Sequence, residues 1–174
     1  VGAPQDVVFT ASKAFSVATF EATVTAPLIE GQVVRQGLSP NANPSMPVVL
    51  EFREPGSTTA FASLTADPDH QGRFSVFAPR VQPFDIAIKD TNWLRAVLSF
   101  DGSNPVSLLF SLGNGDVNGD NTVNIGDFLS LRAAFGSSEG TGNWNYKADL
   151  NRDGSVNLQD FLILRANFGR SGAP

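Results

Sequence analysis

Asp116, Asn118, Asp120, Asn124 and Asp127 place an oxygen-bearing side chain at positions 1, 3, 5, 9 and 12 of one twelve-residue stretch. Asp149, Asn151, Asp153, Asn157 and Asp160 repeat the pattern 33 residues later. A hard divalent cation takes about six to eight oxygens at roughly 2.3–2.6 Å, and a loop of this length can wrap them round it. Position 7 would add its backbone carbonyl, here Thr122 and Ser155, and position 9 would act through a water. Position 6 must turn sharply. Gly154 meets that need, while Asn121 meets it as one of the non-glycine residues that enter the left-handed region most readily. The first site is therefore expected to form with some strain. Three carboxylates crowded in each loop repel one another without a cation. The spacing predicts two bound Ca²⁺, taking the formal charge from −5 to −1, and a segment that folds on binding them. Magnesium demands a near-octahedral shell and fits such loops poorly.

Each loop must be held in place by the apolar run next to it in the chain. Gly115–Gly136 and Ala148–Gly169 agree at 13 of 22 positions, so the two stretches form a duplicated loop–helix unit. Phe128, Leu131 and Phe135 recur at i, i+3 and i+7, as do Phe161, Leu164 and Phe168, and these six are expected to fill a small core between the halves. Gly136 and Gly169 stand where a helix end favours a left-handed residue. Residues 140–147 read as a loop whose Trp144 and Tyr146 cap that core.

Upstream the composition changes. Ten of the eleven prolines lie at or before Pro105. Short runs rich in Val, Phe and Ala, such as Val48–Phe52, Phe74–Phe77, Phe84–Lys89, Ala96–Phe100 and Val106–Phe110, are separated by turn-forming strings. Phe84, Ile86 and Ile88 alternate with Asp85, Ala87 and Lys89, the pattern of a strand buried on one face. The expected architecture is multi-domain β + α, an antiparallel β-sandwich of prealbumin or immunoglobulin type followed by a small all-α module. Its divisions are leading strands over 1–28, a sandwich over 29–112 and the helical module over 113–174. Phe15, Val17 and Thr19 alternate within the leading strands, which belong to the sandwich or end a preceding module.

Composition narrows the functional classes. An isoelectric point near 4.7 and the absence of a basic stripe argue against nucleic acid. No apolar run approaches a membrane span. With no cysteine, disulfides and thiolate chemistry are excluded, leaving metal as one of the few staples for a small module. The chain begins at Val1 without a charged-then-apolar leader, which suggests a piece of a longer protein. Catalysis is not expected. His70 is the only histidine and lies in a turn string without a partner for a relay, and Asp85, Asp90 and Asp101 show no paired spacing. Trp93 adjoins an apolar strand and reads as core rather than as a sugar platform.

The duplicated loop–helix residues resemble the dockerin family, type I-like, over about 60 residues. The resemblance implies two antiparallel F-hand units that plug, in a calcium-dependent way, into a cohesin-like module of another protein. It also implies a docking surface at loop positions 10 and 11 and helix positions 17 and 18. Here these are Ile125, Gly126, Arg132 and Ala133 in one copy and Leu158, Gln159, Arg165 and Ala166 in the other. Best-known cellulosomal members carry a hydroxyl pair at positions 10 and 11, which this chain lacks, so a non-cellulosomal partner is expected. The front region resembles carboxypeptidase regulatory-like sandwiches through Glu30–Val34, Val48–Phe52, Gln71–Phe74 and Phe84–Lys89. Together these imply a non-catalytic docking or scaffold segment of a secreted or cell-surface protein whose parent contacts polysaccharide. Two alternatives stand beside it: a carbohydrate-binding sandwich that carries a dockerin, and a calcium-stapled terminus that only packs on its own sandwich.

Overall fold

The computed structural model describes residues 26–43, 45–102 and 106–174. The leading strands expected over 1–28 lie outside the described residues as far as position 25. Seven strands precede two helices among the described residues: β1 (Leu28–Arg35), β2 (Val48–Arg53), β3 (Ala60–Ala66), β4 (Arg73–Phe77), β5 (Phe84–Ile88), β6 (Ala96–Phe100), β7 (Val106–Leu112), α1 (Ile125–Ala134) and α2 (Leu158–Asn167). They form one sheet of order β4-β1-β7 and another of order β3-β2-β5-β6. Inward residues of both sheets, among them Ile29, Leu50, Phe52, Phe84, Ile86, Phe100 and Phe110, merge into a single apolar cluster. Burying side chains of this size contributes roughly 1.5–3 kcal/mol each and drives the sheets together.

Two expectations about the sheets need correction. Pairing is not antiparallel throughout: β1 runs parallel to β7, from Ile29 opposite Val106 to Arg35 opposite Leu112. Parallel neighbours need a long crossover, and here the whole of β2–β6 supplies it. Nor is β5 open on its polar side, because all five of its residues are buried. Asp85 accepts from Ser99 Oγ at 2.6 Å and from Gly56 N at 2.7 Å. The last residues of the chain meet the same sheet: Ala173 N donates to Arg95 O at 2.9 Å, and buried Arg53 donates Nη1 to Pro174 O at 2.7 Å. Tertiary cover overrides the period-two reading.

A second apolar cluster of Val117, Val123, Leu131, Ala134, Leu150, Val156 and Leu164 lies between the helices and their loops, with Leu94 from the sheets joining it. Phe128 and Phe161 pack against it with ring centroids 6.1 Å apart, and Trp144 covers it. Phe135 and Phe168 do not enter it. They are half exposed, contrary to the i+7 expectation. Both are C-cap residues with extended backbone (φ −60°, ψ 134° and φ −58°, ψ 131°), so the helical period stops one residue before each. Tyr146, expected to cap the core, is also half exposed. After each cap the chain turns at Gly136 (φ 81°) and Gly169 (φ 85°) and pairs with the opposite loop. Gly136 N donates to Val156 O and Val156 N to Ser137 O. In the other half Gly169 N donates to Val123 O and Val123 N to Arg170 O, both at 2.8 Å. The two halves thus share a reciprocal, pseudo-twofold pairing.

Candidate functional site

Both loops end in the same helix cap. Asn124 and Asn157 sit in extended conformation as N-caps; their Oδ1 atoms accept from Gly126 N (2.7 Å) and Gln159 N (2.8 Å). Asp127 and Asp160, three residues on, return Oδ2 to the amides of Asn124 and Asn157 at 2.8 Å each. Their other oxygens reach back across the loops: Asp127 Oδ1 accepts from Asn118 N at 3.0 Å, and Asp160 Oδ1 accepts from Leu150 N at 2.7 Å. Position 12 therefore ties the helix start to the loop start, and the capping box does this with the shorter aspartate arm.

Position 1 closes each loop from the other side. Asp116 accepts from Gly119 N at 2.8 Å and Asn121 N at 2.9 Å; Asp149 accepts from Asp153 N at 3.1 Å and Gly154 N at 2.9 Å. The backbone turns expected at position 6 are present, with φ of 68° at Asn121 and 90° at Gly154. A second left-handed residue stands at position 4. It is Gly119 (φ 85°) in the first loop and Arg152 (φ 60°) in the second. Position 5 lies at the solvent side: Asp120 is exposed, and the Asn118 amide, Thr122 N and the Asn124 amide hold its carboxyl below the usual range.

The donor sets suit a hard cation. Asp116, Asp127 and Asp160 are fully buried and Asp149 nearly so. Burial pushes Asp127, Asp149 and Asp160 above the ordinary carboxylate range, and the Asp116 and Asp120 charges push Asp127 the same way. Among the described residues neither Asp127 nor Asp160 has an ion-pair partner. Each Asp127 oxygen accepts one N–H and keeps a second lone pair, whereas Asp160 Oδ1 accepts from both Leu150 N and Asn151 N (3.2 Å), leaving Oδ2 as the less occupied oxygen. Among the described residues no three His, Cys, Asp or Glu side chains converge as a complete cage. A cation in either loop would thus draw its remaining oxygens from the Asn side chains and from the carbonyls of Thr122 and Ser155. Among them, Asn118 and Asn151 point Nδ2 at Asp120 (2.9 Å) and Asp153 (2.8 Å).

The expected docking residues divide by copy and by exposure. Ile125 and Leu158 are about three-fifths exposed, and Arg132, Ala133, Arg165 and Ala166 are exposed on the same helices. Gly126 is partly buried, and Gln159, although exposed, accepts from Asn151 Nδ2 at 3.0 Å. Leu129, Leu162, Phe135 and Phe168 extend these faces and were not anticipated. The i+4 step from Ile125 to Leu129 and from Leu158 to Leu162 was the signal available for the leucines.

Of the other residues weighed as functional, Trp93 is fully buried in the sheet core, with Nε1 donating to Gln36 O at 3.0 Å. His70 lies in an exposed turn, but a serine does stand near it: Ser45 Oγ is 3.4 Å from His70 Nδ1. That contact is long and at the surface, and Asp69 spends its Oδ1 on the amides of Gln71 and Arg73.

Residues 114–169 match the family of dockerin type I domains. This part of the chain is dockerin-like. A solved type II cohesin–X-dockerin complex from Acetivibrio cellulolyticus, an N-terminal interface mutant, contains a chain similar to this one. The similarity has a TM-score of 0.67 at 21% identity and covers 84% of this chain and 97% of that one. The C-terminal interface mutant of the same complex gives a TM-score of 0.64 with the same identity and coverage. At that identity the likeness is one of fold, and it spans the sheets as well as the dockerin. A type II cohesin–dockerin domain from Bacteroides cellolosolvens is 38% identical over 34% of this chain and 90% of that chain, with a TM-score of 0.30. No curated protein matches the chain. The matches support a docking module and point to a non-catalytic role. No helix among the described residues is long and apolar enough to cross a membrane.

Proposed function

We propose that this chain is a calcium-dependent docking and scaffold segment of a larger secreted or cell-surface protein. Residues 29–112 form a carboxypeptidase regulatory-like sandwich and 113–174 the dockerin. Two Ca²⁺ bind, one to Asp116, Asn118, Asp120, Thr122, Asn124 and Asp127, the other to Asp149, Asn151, Asp153, Ser155, Asn157 and Asp160. The cations neutralise the carboxylates and fix the start of each helix, whose exposed face then plugs into a cohesin-like module. The contacts would come from Ile125, Gly126, Arg132 and Ala133 or their counterparts Leu158, Gln159, Arg165 and Ala166. The parent protein is assigned to work on or near polysaccharide at the cell exterior, where millimolar calcium suits modules of modest affinity.

The observation that carries this reading is the matched network of the two loops. In both, buried position-12 aspartates cap the following helix and hold the loop start with no ion-pair partner among the described residues. The test is calorimetric. The chain should take up two Ca²⁺ and bind a purified cohesin module in calcium but not in chelator; no heat on adding calcium would overturn the reading. A second reading, a calcium-stapled terminus that only packs on its own sheets, draws support from the direct bonds between the two parts, such as Ser39 N to Asn151 O at 2.7 Å. Calcium uptake without any cohesin binding would favour it.

A further inference from the structure

The segment between β5 and β6 touches both candidate cation loops. Lys89 Nζ lies 2.8 Å from Asp116 Oδ2. The backbone carbonyl of fully buried Asn92 accepts from Gly115 N and from Asp116 N, both at 3.1 Å, at the first position of loop one. The Asn92 side chain donates Nδ2 to Asn114 Oδ1 at 3.3 Å and accepts at Oδ1 from Arg152 Nη2 of loop two at 2.7 Å. Leu94 N donates to Gly113 O at 2.6 Å, and Arg95 N donates to Asn121 Oδ1, at position 6 of loop one, at 2.8 Å. Trp93 belongs to the sheet core while its neighbour Leu94 belongs to the dockerin core, so the backbone between them is anchored on both sides.

Arg152 marks one of the two left-handed positions at which the loops differ, the other being Asn121 against Gly154. Position 4 needs a left-handed backbone, and loop one uses Gly119 there. Loop two instead carries an arginine, a residue for which that conformation is strained. Its guanidinium is held by Asn92 Oδ1 and by Tyr146 O at 2.8 Å, and it lies over the Trp93 ring at 5.6 Å and the Tyr146 ring at 5.3 Å. Glycine would relieve that strain but could not reach across to the sheets as this arginine does.

We propose that Lys89–Arg95 is a shared brace for the two cation loops, with Asn92 as a positioning residue for both, so that cation binding and closure of the sheets on the dockerin are one equilibrium. This rests on the proposed pair of calcium sites. A group that binds only the closed form suppresses opening of everything that opens with it.

Hydrogen exchange of the whole chain tests this, first in chelator and then in calcium at a known multiple of Kd. At a calcium level 100 times Kd for both sites, loop amides such as Asn121 and Gly154 should slow about 10⁴-fold, about 100-fold from each cation, whereas loops that open independently would slow only about 100-fold. With a shared brace, the Leu94 and Arg95 amides slow by that same factor. If they exchange at one rate with and without calcium while the loop amides slow, the brace is wrong. If the loop amides are also unmoved, the calcium reading and the brace fall together. Asn92→Ala gives a second readout: calorimetry should show calcium affinity falling about tenfold or more at both sites, as loss of outer-shell support does. A variant that is less stable in chelator but keeps both affinities would overturn the proposal. The exchange experiment uses the unaltered chain and stands even if that variant does not fold.

Discussion

Lys89 and Asp116 form an ion pair of 2.8 Å that runs from the end of β5 to the first position of the first dockerin loop. The carboxylate is fully buried and the ammonium mostly so, with the remaining Lys89 protons directed to Asp90 O at 2.8 Å and Thr91 O at 3.3 Å. Removing one member of a buried pair leaves the other charge uncompensated and costs up to about 3–5 kcal/mol, less where water reaches the partner. Lys89→Met should therefore lower the denaturant midpoint in chelator. Calcium should recover part of the loss, because the cation takes over compensation of Asp116. A midpoint equal to wild type in chelator would contradict the assigned role of the pair.

The helix cores and the helix tips should behave oppositely. Leu131 and Leu164 are fully buried, so Leu131→Ala and Leu164→Ala should each cost about 2–5 kcal/mol in chemical unfolding. Phe135→Ala and Phe168→Ala remove half-exposed rings and should stay within about 0.5 kcal/mol. A cost above about 2 kcal/mol for either phenylalanine would mean that it is packed in solution.

Gly172 is enclosed between loop one and β6. A Cβ there would stand 2.6 Å from Arg95 N and closer still to Asn121 Oδ1. Gly172→Ala should force the chain end away from the loop and destabilise by about 1–3 kcal/mol. Because Gly172 N also donates to Asn121 O, calcium affinity should fall most at the first site and, through Arg95 of the shared brace, to a smaller extent at the second. Site-resolved NMR titration would separate the two.

The pseudo-twofold makes a prediction for docking. Arg132 and Arg165 occupy equivalent exposed positions in the last turns of α1 and α2. If either helix can present its face, Arg132→Ala and Arg165→Ala should weaken cohesin binding to similar, small extents, with the double variant losing most of it. Sharply unequal single effects would select one orientation.

How much of this was legible depended on whether the information was local. The two loops, their helices and the left-handed backbone at Asn121 followed from spacing, because a twelve-residue turn and its cap are specified within themselves. Strand β3, AFASLTA, offered no clean alternation, since all but its last residue lie on a largely exposed edge. The burial of Asp85 and Ala87 and the parallel β1–β7 pairing depend on segments far away in sequence, which no period reports. The same holds for Lys89, Asn92 and Arg152, three polar residues whose partners lie 22 to 60 positions away in the bonds that matter. Phe135 and Phe168 misled because apolar spacing continues one residue beyond the point where the helix stops.

The exchange of strand-like bonds between each loop and the residues after the opposite helix means that neither repeat is complete by itself. Val123 is satisfied by Gly169 and Arg170, and Val156 by Gly136 and Ser137. A single copy, expressed alone, would lack the far wall of its own loop. A chain nicked within residues 140–147 should instead yield two pieces that find and hold one another, each serving as the other's missing half.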